Sequence, residues 1–504
     1  RKMIGTLDCA RYGGPSNANE MVYWRDIPQD TYWKSPYLGR QQQETQNKHF
    51  LSVEVDAGGF HNIRMTVEVA MAMAYATGRI FVVPPKQGIY LLDDTYTLHD
   101  FYHDLETLNV MDMKDFLEQY VVTGKIRTRT EHEILLPPDN RTDWTGHFHK
   151  RDDIWEDNRE LDMFMRNVST LMPQVRPYHQ IIVIPAVDNH TITGKKHRKN
   201  QQHYWETMAE ELRREQGGWT TTGEEYFGSP TPVNASARRR FREVFTGRDP
   251  WIYPSPRKTS PSTLLHFMAD DQQNIRMHDH FYHALFMEDW TMDLRIKRYV
   301  RDKLRFKDEF FCAAARIVRK LRRLSHDGRF YTYHVRRNDF AHIHLLHDSN
   351  TLYWSTHELI PNIKNATIYI ATDEKDKSWF QPFMEKMQYG HVYFLDDFKD
   401  ELDGIRPGFY GIIDAIVAAR GEVFVGAYYS TLTMHINHMR GYYSQVEQGR
   451  EGWKQQLGVL DSYFYAPKEY MNFFRHYRPF GDVKIVDTAF PIAWRDIDHG
   501  ILDE

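Results

Sequence analysis

The sequence predicts an α/β protein with two domains, each built on a parallel sheet, that face each other across a cleft. Three observations predict this class. Strand-like and helix-like segments alternate in both halves of the chain, and 504 residues exceed what a single core usually organises. Composition also shifts to Gly, Thr, Ser and Pro between Gly217 and Thr263. We therefore predict domains over residues 1–255 and 256–450, with residues 451–504 as a tail that packs back on the fold.

The N-terminal half contains a strand, a glycine turn, a helix and a second strand in succession, which is a βαβ unit. A further apolar run predicts another buried strand of the same parallel sheet. The predicted elements are strands at 51–55, 79–83 and 180–184, the turn at 56–62, and a helix from about Ile63 to Ala76.

The C-terminal half repeats the alternation of helices and strands. Its predicted strands are at 329–335, 366–371, 392–395 and 423–425. Its predicted helices run from Phe310 to Leu324, from Trp379 to Met387, from Gly411 to Ala419, and from just after Ser430 to near Met439.

Two adjacent arginines end the first strand of this second alternation. Ligands bind at the carboxyl ends of strands in open α/β sheets, and a guanidinium matches phosphate oxygens bidentately. The period of two puts Arg336 and Arg337 on opposite faces, so we expect one to bind a phosphate and the other to brace the site. Asp339 is close enough in sequence to orient a guanidinium. Solvated charges at a strand end are the alternative interpretation.

Two polar turns follow other strands of the same half. Thr372 and Asp373 place acceptors at the carboxyl edge of the sheet, suited to a ribose hydroxyl or base N–H groups. Ser430 and Thr431 precede a helix, where hydroxyls and free amides form an anion site that could share a diphosphate with Arg336. For both turns, simple helix capping is the alternative.

The first βα turn of the N-terminal half contains two glycines. Gly58 and Gly59 let a ligand approach the backbone, and the amides of the following helix could bind an anion or a sugar hydroxyl. This is not the full dinucleotide fingerprint, and a purely structural turn is the alternative on this motif alone.

Composition narrows the classes of function. The net charge of −5 and a pI near 6.6 argue against a nucleic-acid-binding protein. The aromatic content of 14% mildly favours a carbohydrate ligand. Cys9 and Cys312 could form one bridge or remain two free thiols. Five sequons offer acceptors for N-glycans, at Asn140, Asn167, Asn189, Asn234 and Asn365.

No apolar run approaches the ~20 residues of a membrane span. The first residue is Arg, so we expect membrane attachment only through an N-terminal anchor that has been removed. Two histidine groups have spacings that could hold zinc, but neither lies in a clear helix or strand, and we expect catalysis without a metal or other cofactor. These groups are His278, His280 and His283, and His342, His344 and His347.

The ordered motifs resemble the GDP-fucose protein O-fucosyltransferase superfamily, the inverting fucosyltransferases of GT-B architecture with two Rossmann-like domains. The resemblance extends from about Leu51 to Tyr443. It rests on segments 58–62, 334–340, 371–374, 430–432 and 439–442.

The resemblance implies that the C-terminal domain binds a GDP-sugar. Arg336 would hold the β-phosphate and stabilise the departing GDP, His334 would lie against the donor, and Asp373 would face the nucleoside. Ser430 and Thr431 would bind phosphate oxygens, and Leu432 stands where relatives often have phenylalanine. Arg337, Asp339 and Thr372 complete the predicted donor site.

The resemblance also places the acceptor, a protein or a glycan, on the glycine turn of the N-terminal domain. The residues expected there are Gly58, Gly59, Phe60 and Asn62. Some relatives have an arginine or a glutamate where this chain has Gly58 and Gly59, so the base is unassigned, with Asp56 and His61 as candidates. The implied location is the lumen of the Golgi or endoplasmic reticulum, as the ectodomain of a type II membrane protein.

Three alternatives stay open at this stage. The enzyme could use another nucleotide-sugar, or a polysaccharide acceptor. The chain could be a non-catalytic relative that binds GDP or a glycan and lacks a base. A histidine-based metallohydrolase is the third.

Overall fold

The computed structural model divides the chain into two compact units. The first unit takes in residues 27–213 and 218–305, and the second takes in residues 1–26, 214–217 and 306–504. The residues described are 5–37, 48–54, 59–85, 96–126, 136–144, 155–169, 172–173, 175, 180–185, 249–253, 263–269, 285–338, 340, 346–428, 430–454, 460–465, 494 and 497–498.

The first unit contains two parallel sheets in its described residues. Their strand orders are β3-β2-β1-β6 and β5-β4-β7. The strands are β1 (Phe50–Val53), β2 (Ile80–Val83), β3 (Val110–Asp112), β4 (Gln180–Ile184), β5 (Asp249–Ile252), β6 (Leu264–Phe267) and β7 (Leu285–Met287).

The helices of the first unit cover these sheets with apolar side chains. Phe50 and Val82 of the larger sheet share a buried cluster with Phe116, Phe164 and Leu264. The α-helices are α1 (Pro28–Thr31), α2 (Phe60–Thr77), α3 (Leu98–Phe101), α4 (Met113–Phe116), α5 (Trp155–Val168) and α6 (Trp290–Lys303); a π-helix (Leu117–Val121) and the 3₁₀ turns Leu105–Thr107 and Pro138–Asn140 complete the set.

The second unit contains one parallel sheet whose described strands lie in the order β10-β9-β8-β11-β12. These strands are β8 (Tyr331–Val335), β9 (Thr367–Thr372), β10 (His391–Tyr393), β11 (Phe424–Ala427) and β12 (Ser462–Tyr465). Its α-helices are α7 (Asp308–Leu324), α8 (Ser349–Thr356), α9 (Gln381–Met384), α10 (Tyr410–Ala418) and α11 (Thr431–Lys454). Its 3₁₀ helices are Ala10–Tyr12, Asn19–Met21, His357–Leu359, Ile363–Asn365, Lys377–Phe380, Leu395–Leu402 and Pro407–Phe409.

The predicted α/β class is confirmed, because the described strands of each unit are parallel and alternate with helices along the chain. The division of the chain differs from the predicted one. Strand β6 pairs with β1 along its whole length, so residues 264–267 belong to the first unit although they follow the Gly-, Ser- and Pro-rich stretch. The junction lies between Arg305 and Phe306.

The N-terminal segment, residues 5–26, belongs to the second unit. Its Cys9 forms a disulfide with Cys312 of α7, with the two Cα atoms 5.3 Å apart. Tyr23 packs edge-on against Phe311, with the ring centroids 5.4 Å apart. The Tyr443 hydroxyl of α11 donates to the Met21 carbonyl oxygen at 2.8 Å. Cys9 and Cys312 thus form one bridge and are not two free thiols, which were the two options that composition left open.

Among the described residues, no helix combines the length and the apolar character needed to cross a bilayer.

A buried acid links α10 to the sheet of the second unit. Asp414 accepts a hydrogen bond from the Tyr369 hydroxyl of β9, and burial raises the pKa of the Asp414 carboxyl to about 7. The folded-state pKa therefore lies above that of the unfolded chain. The stability of the fold should decrease as the pH rises from about 4 to about 7, and change little from this group above that range.

We predict that Asp414→Asn removes this decrease in stability with pH, because the amide does not ionise. Its neutral oxygen still accepts a hydrogen bond from the Tyr369 hydroxyl. Above pH 7 the variant should exceed the wild type in free energy of unfolding by roughly 2–4 kcal/mol, with no such gain at pH 4. Thermal unfolding at several pH values measures the difference. The exposed acid Asp403 supplies the control variant Asp403→Asn, and an equal gain for both variants would contradict the prediction.

Candidate active site

The carboxyl ends of β8 and β11 form the point in the second unit where the strand order reverses. The chain enters the sheet at β8, continues outward through β9 and β10, and then returns to the other side of β8 as β11 and β12. In open α/β sheets, such a switch point leaves a crevice beyond the strand ends in which ligands bind. Arg336 follows β8 directly, and Ser430 lies just beyond β11.

Arg336 is held at this position by the neighbouring strand. The register of β8 and β9 sets Val335 beside Thr372, so the residues that follow each strand are adjacent. Arg336 Nη1 lies 2.9 Å from Asp373 Oδ2, and roughly a fifth of each side chain is exposed. The guanidinium is thus half-buried and fixed at one end.

Arg337 contacts Glu374 and Trp379 of the neighbouring chain segment. Its Nε donates to Glu374 Oε2 at 3.1 Å, and its guanidinium carbon lies 4.2 Å from the centroid of the Trp379 ring. A stacked and ion-paired guanidinium has little freedom to leave its position. The two arginines therefore differ in surroundings, although both lie beyond the last residue of β8.

Asp373 joins the ends of β8 and β9. Its Oδ1 accepts from the Arg337 amide at 2.8 Å, and its Oδ2 accepts from the Asn338 amide at 3.0 Å in addition to Arg336. The Thr372 hydroxyl accepts from the Glu374 amide at 3.1 Å. Both oxygens of Asp373 thus serve the turn after β8, a contact that the sequence motif did not indicate.

His334 lies under the site in a fully buried position. Its Nδ1 lies 2.7 Å from the Thr433 hydroxyl oxygen in the first turn of α11. Burial and the charge of Arg336 lower the pKa of His334 to about 3, so the ring is neutral at any physiological pH. It links β8 to α11.

The helix α11 begins at the same edge of the sheet. Ser430 is buried directly before the helix, and Thr431 and Leu432 are half-buried in its first turn. Gly426 of β11 permits the close packing here, because a Cβ at that position would clash with Thr433 and meet Phe424 Cζ at 2.8 Å. Helix-start amides and a buried hydroxyl thus lie at the strand end that follows the switch point.

The predicted acceptor turn is partly described. Gly59 directly precedes α2, and its φ of −61° and its open surroundings impose no need for glycine. Phe60 stacks on Phe101 of α3, with ring centroids 4.2 Å apart. The Asn62 amide donates to the Gly59 carbonyl oxygen at 2.8 Å. Asp56, Gly58 and Asp339 lie outside the described residues, and their predicted roles stay predictions.

His61 is the one predicted base candidate that the structure describes. Its Nδ1 accepts a hydrogen bond from Arg64 Nε at 3.3 Å. Arg64 in turn forms a buried ion pair with Glu68. Burial raises the pKa of Glu68 above its ordinary value.

A buried polar cluster at the end of β1 escaped the sequence interpretation. Glu54 Oε1 accepts from Arg166 Nε at 2.5 Å, and its Oε2 accepts from Arg166 Nη2 at 2.6 Å and the Ala269 amide at 2.7 Å. His266 lies between Glu54 and Ser52, at 3.2 and 2.8 Å. Burial raises the pKa of Glu54, but the hydrogen bonds from Arg166 and His266 outweigh it and lower the pKa overall.

This cluster has the order of contacts of a Ser-His-acid triad, yet Ser52, His266 and Glu54 are at most 3% exposed. The Ser52 hydroxyl is buried and therefore inaccessible to a substrate, so the cluster supports the fold and does not supply a nucleophile. The signal in the sequence was an acidic residue, Glu54, within the strand predicted at 51–55.

No group of three or more metal-ligating side chains occurs within the part of the chain that is described. Of the histidines with zinc-like spacings, only His347 lies among the described residues. The other five, at positions 278, 280, 283, 342 and 344, fall outside them.

Comparison with known proteins finds one matching family. The profile of the family described as "GDP-fucose protein O-fucosyltransferase" matches residues 50–443. No curated protein sequence matches the chain.

Several solved structures are similar at low sequence identity. POFUT1 in complex with GDP is 12% identical over 80% of this chain and 96% of its own, with a TM-score of 0.32. A mutant of Arabidopsis thaliana FUT1 in complex with GDP is 9% identical over 93% and 90%, with a TM-score of 0.35. NodZ α-1,6-fucosyltransferase soaked with GDP-fucose is 10% identical over 86% and 100%, with a TM-score of 0.35. The family match alone carries the assignment.

Proposed function

We propose, from the premise that the chain belongs to the GDP-fucose protein O-fucosyltransferase family, that it transfers fucose with inversion, without a metal ion, at the strand ends that carry Arg336. Membership makes it a glycosyltransferase, and specifically a fucosyltransferase that uses GDP-fucose. The observation that carries the proposed site is the position of Arg336 at the switch point, one strand away from the start of α11.

The donor diphosphate would bind between these two features. Arg336 would contact phosphate oxygens in competition with Asp373, whose Oδ2 lies 2.9 Å from Arg336 Nη1. The Ser430 hydroxyl and the amides at the start of α11 would contact the diphosphate from the other strand end. The buried His334 would support the site from below. The stacked Arg337 would support it from the side.

In the transfer step, an acceptor oxygen attacks the anomeric carbon from the face opposite GDP. The bond from that carbon to the β-phosphate oxygen breaks, and its electron pair stays on the phosphate. Arg336 would stabilise the charge that develops there, which is the role for which a fixed guanidinium suits a leaving diphosphate. Because a protein cation serves that role, the proposal needs no metal ion.

The acceptor is proposed to be a hydroxyl group of a protein Ser or Thr or of a glycan, bound at the turn that precedes α2. Its proton would pass to a base in that turn. For location we propose the lumen of the Golgi or endoplasmic reticulum, which the Cys9–Cys312 disulfide supports, since disulfides persist in oxidising compartments.

The proposal predicts selective, metal-independent binding of guanine nucleotides. Calorimetry in the presence of EDTA should detect GDP and GDP-fucose binding and little binding of UDP, with GDP-mannose as the test of sugar selectivity. The wild type and Arg336→Ala are compared, and binding should depend on the arginine. If the wild type bound none of the four nucleotides, the proposed function would be rejected.

A further inference from the structure

One N-glycosylation sequon, Asn365-Ala366-Thr367, lies among the described residues of the second unit. Asn365 ends the 3₁₀ helix Ile363–Asn365 and is exposed. Thr367 begins β9 and is only 4% exposed. An enzyme that reads both residues of the sequon must therefore modify the chain before β9 has folded, after which the asparagine remains at the surface.

The segment that precedes β10 runs beside this sequon. The Tyr389 amide donates to the carbonyl oxygen of the residue before Asn365 at 2.9 Å, and the His391 amide donates to the carbonyl oxygen of the residue after it at 3.0 Å. These bonds continue the parallel register in which His391 pairs with Thr367. The backbones of Asn365 and Tyr389 are thus adjacent, at about the 4.8 Å that separates neighbouring strands.

Tyr389 combines a fixed backbone with an exposed ring. Its side chain is 77% exposed. A Cβ at Gly390 would lie 2.7 Å from the Ala366 carbonyl oxygen, so glycine permits the close approach of the two segments at this point. An exposed aromatic face is a surface on which the apolar side of a sugar ring packs. A sugar attached to Asn365 would therefore have the Tyr389 ring as its neighbour.

The two other sequon asparagines among the described residues have different surroundings. Asn140 and Asn167 are also exposed. The aromatic residue nearest to Asn140 in sequence, Trp144, is 4% exposed, and Asn167 lies on α5 one turn after Met163, which is exposed but not aromatic. Within the part of the chain that is described, Asn365 is thus the sequon asparagine that is paired along a strand edge with an exposed aromatic residue.

We propose that Asn365 carries an N-linked glycan whose innermost sugar packs over the Tyr389 ring. In the transfer, the Asn365 amide nitrogen bonds to the anomeric carbon of a glycan carried on a lipid diphosphate and loses one proton. The bond from that carbon to the diphosphate oxygen breaks, and its electron pair stays on the lipid diphosphate. The inference rests on the lumenal location in the proposed function and is independent of fucosyl transfer.

Occupancy of Asn365 is measured on the full chain, secreted from eukaryotic cells behind a cleavable signal. Mass spectrometry should show a glycan on the peptide that contains Asn365, its release by a glycan-specific amidase, and no glycan on that peptide in Asn365→Gln. An unmodified Asn365 in the secreted wild type would overturn the proposal. Binding of GDP by the same preparation tests the proposed function separately, so a failure of one is distinguished from a failure of the other.

Nitration of tyrosine by tetranitromethane, followed for each residue in digests of the folded protein, tests the contact with Tyr389. Nitration of Tyr389 should be about threefold or more slower in the glycosylated wild type than in Asn365→Gln, because the sugar covers the ring. Tyr32, which is 84% exposed and belongs to the first unit, is the matched control and should react equally in both proteins. Equal nitration rates of Tyr389 in the two proteins would overturn the proposed contact.

Discussion

Arg336→Ala is expected to lower kcat/KM for GDP-fucose by about 10²-fold or more, because it removes the cation that stabilises charge on the departing diphosphate. The guanidinium of Arg336 is already held by Asp373 at 2.9 Å. Little of the energy of donor binding is therefore needed to order the Arg336 side chain. The rate of GDP release from GDP-fucose, with water as the acceptor, measures the loss without knowledge of the natural acceptor.

Two further variants test whether the loss of rate is specific to the guanidinium of Arg336. Arg336→Lys keeps the charge but not the planar fork, so it should recover only part of the rate. Arg329→Ala removes an arginine that precedes the same strand, is 57% exposed and pairs with Asp327, and it should leave the rate unchanged. Near-normal turnover of Arg336→Ala would exclude Arg336 as the group that stabilises the leaving GDP.

Local sequence patterns predicted the central elements of the second unit well, because their signals lie within a few residues. Helix α7 was expected over residues 310–324 and begins only two residues earlier. Strand β8 begins at Tyr331 rather than Arg329 because the Asp327 carboxylate binds both the amide and the side chain of Arg329. That local contact keeps Arg329 out of the strand.

Helix α11 shows where a local pattern was misleading. It was expected to end near Met439, but it continues through Gly441 to Lys454. The two tyrosines after the glycine are buried, and their hydroxyls donate to the Met21 and Trp24 carbonyl oxygens of the N-terminal segment. Tertiary packing thus extends the helix past a residue with low helix propensity.

The contacts that define the candidate site depend on partners far apart in the sequence. The motif around Arg336 was visible, but its ion pair with Asp373 follows from the register of β8 and β9. The contact of His266 with Glu54 joins residues 212 positions apart. A single sequence shows which residues end a strand, whereas it does not show which strands are neighbours.

The predicted position of the domain junction differs from the division in the structure for the same reason. A change in composition predicted it near residue 255, but the pairing of β6 with β1 and the disulfide from Cys9 to Cys312 are long-range contacts. They draw residues 264–267 into the first unit and residues 5–26 into the second. Linker-like composition indicates exposed chain, and exposed chain also occurs within a domain.

The second large effect is expected at Arg440, which is fully buried in α11. Its guanidinium donates to the Ser462 hydroxyl and to four backbone carbonyl oxygens, of Ala419, Gly421, Glu422 and Asp461, at 2.5–3.2 Å. It thereby ties the helix to the chain segments that enter β11 and β12.

Arg440→Met keeps most of the side-chain volume but removes every one of these hydrogen bonds, and carbonyl groups that are left unsatisfied in the interior are costly. We expect a loss of about 3–5 kcal/mol in the free energy of unfolding, measured by chemical denaturation, with weaker GDP binding because α11 and β11 carry the Ser430 turn. Arg329→Met makes the same substitution at a site that is 57% exposed and should be nearly neutral. If the two variants unfolded at the same denaturant concentration, the carbonyl contacts of Arg440 would contribute nothing net to stability.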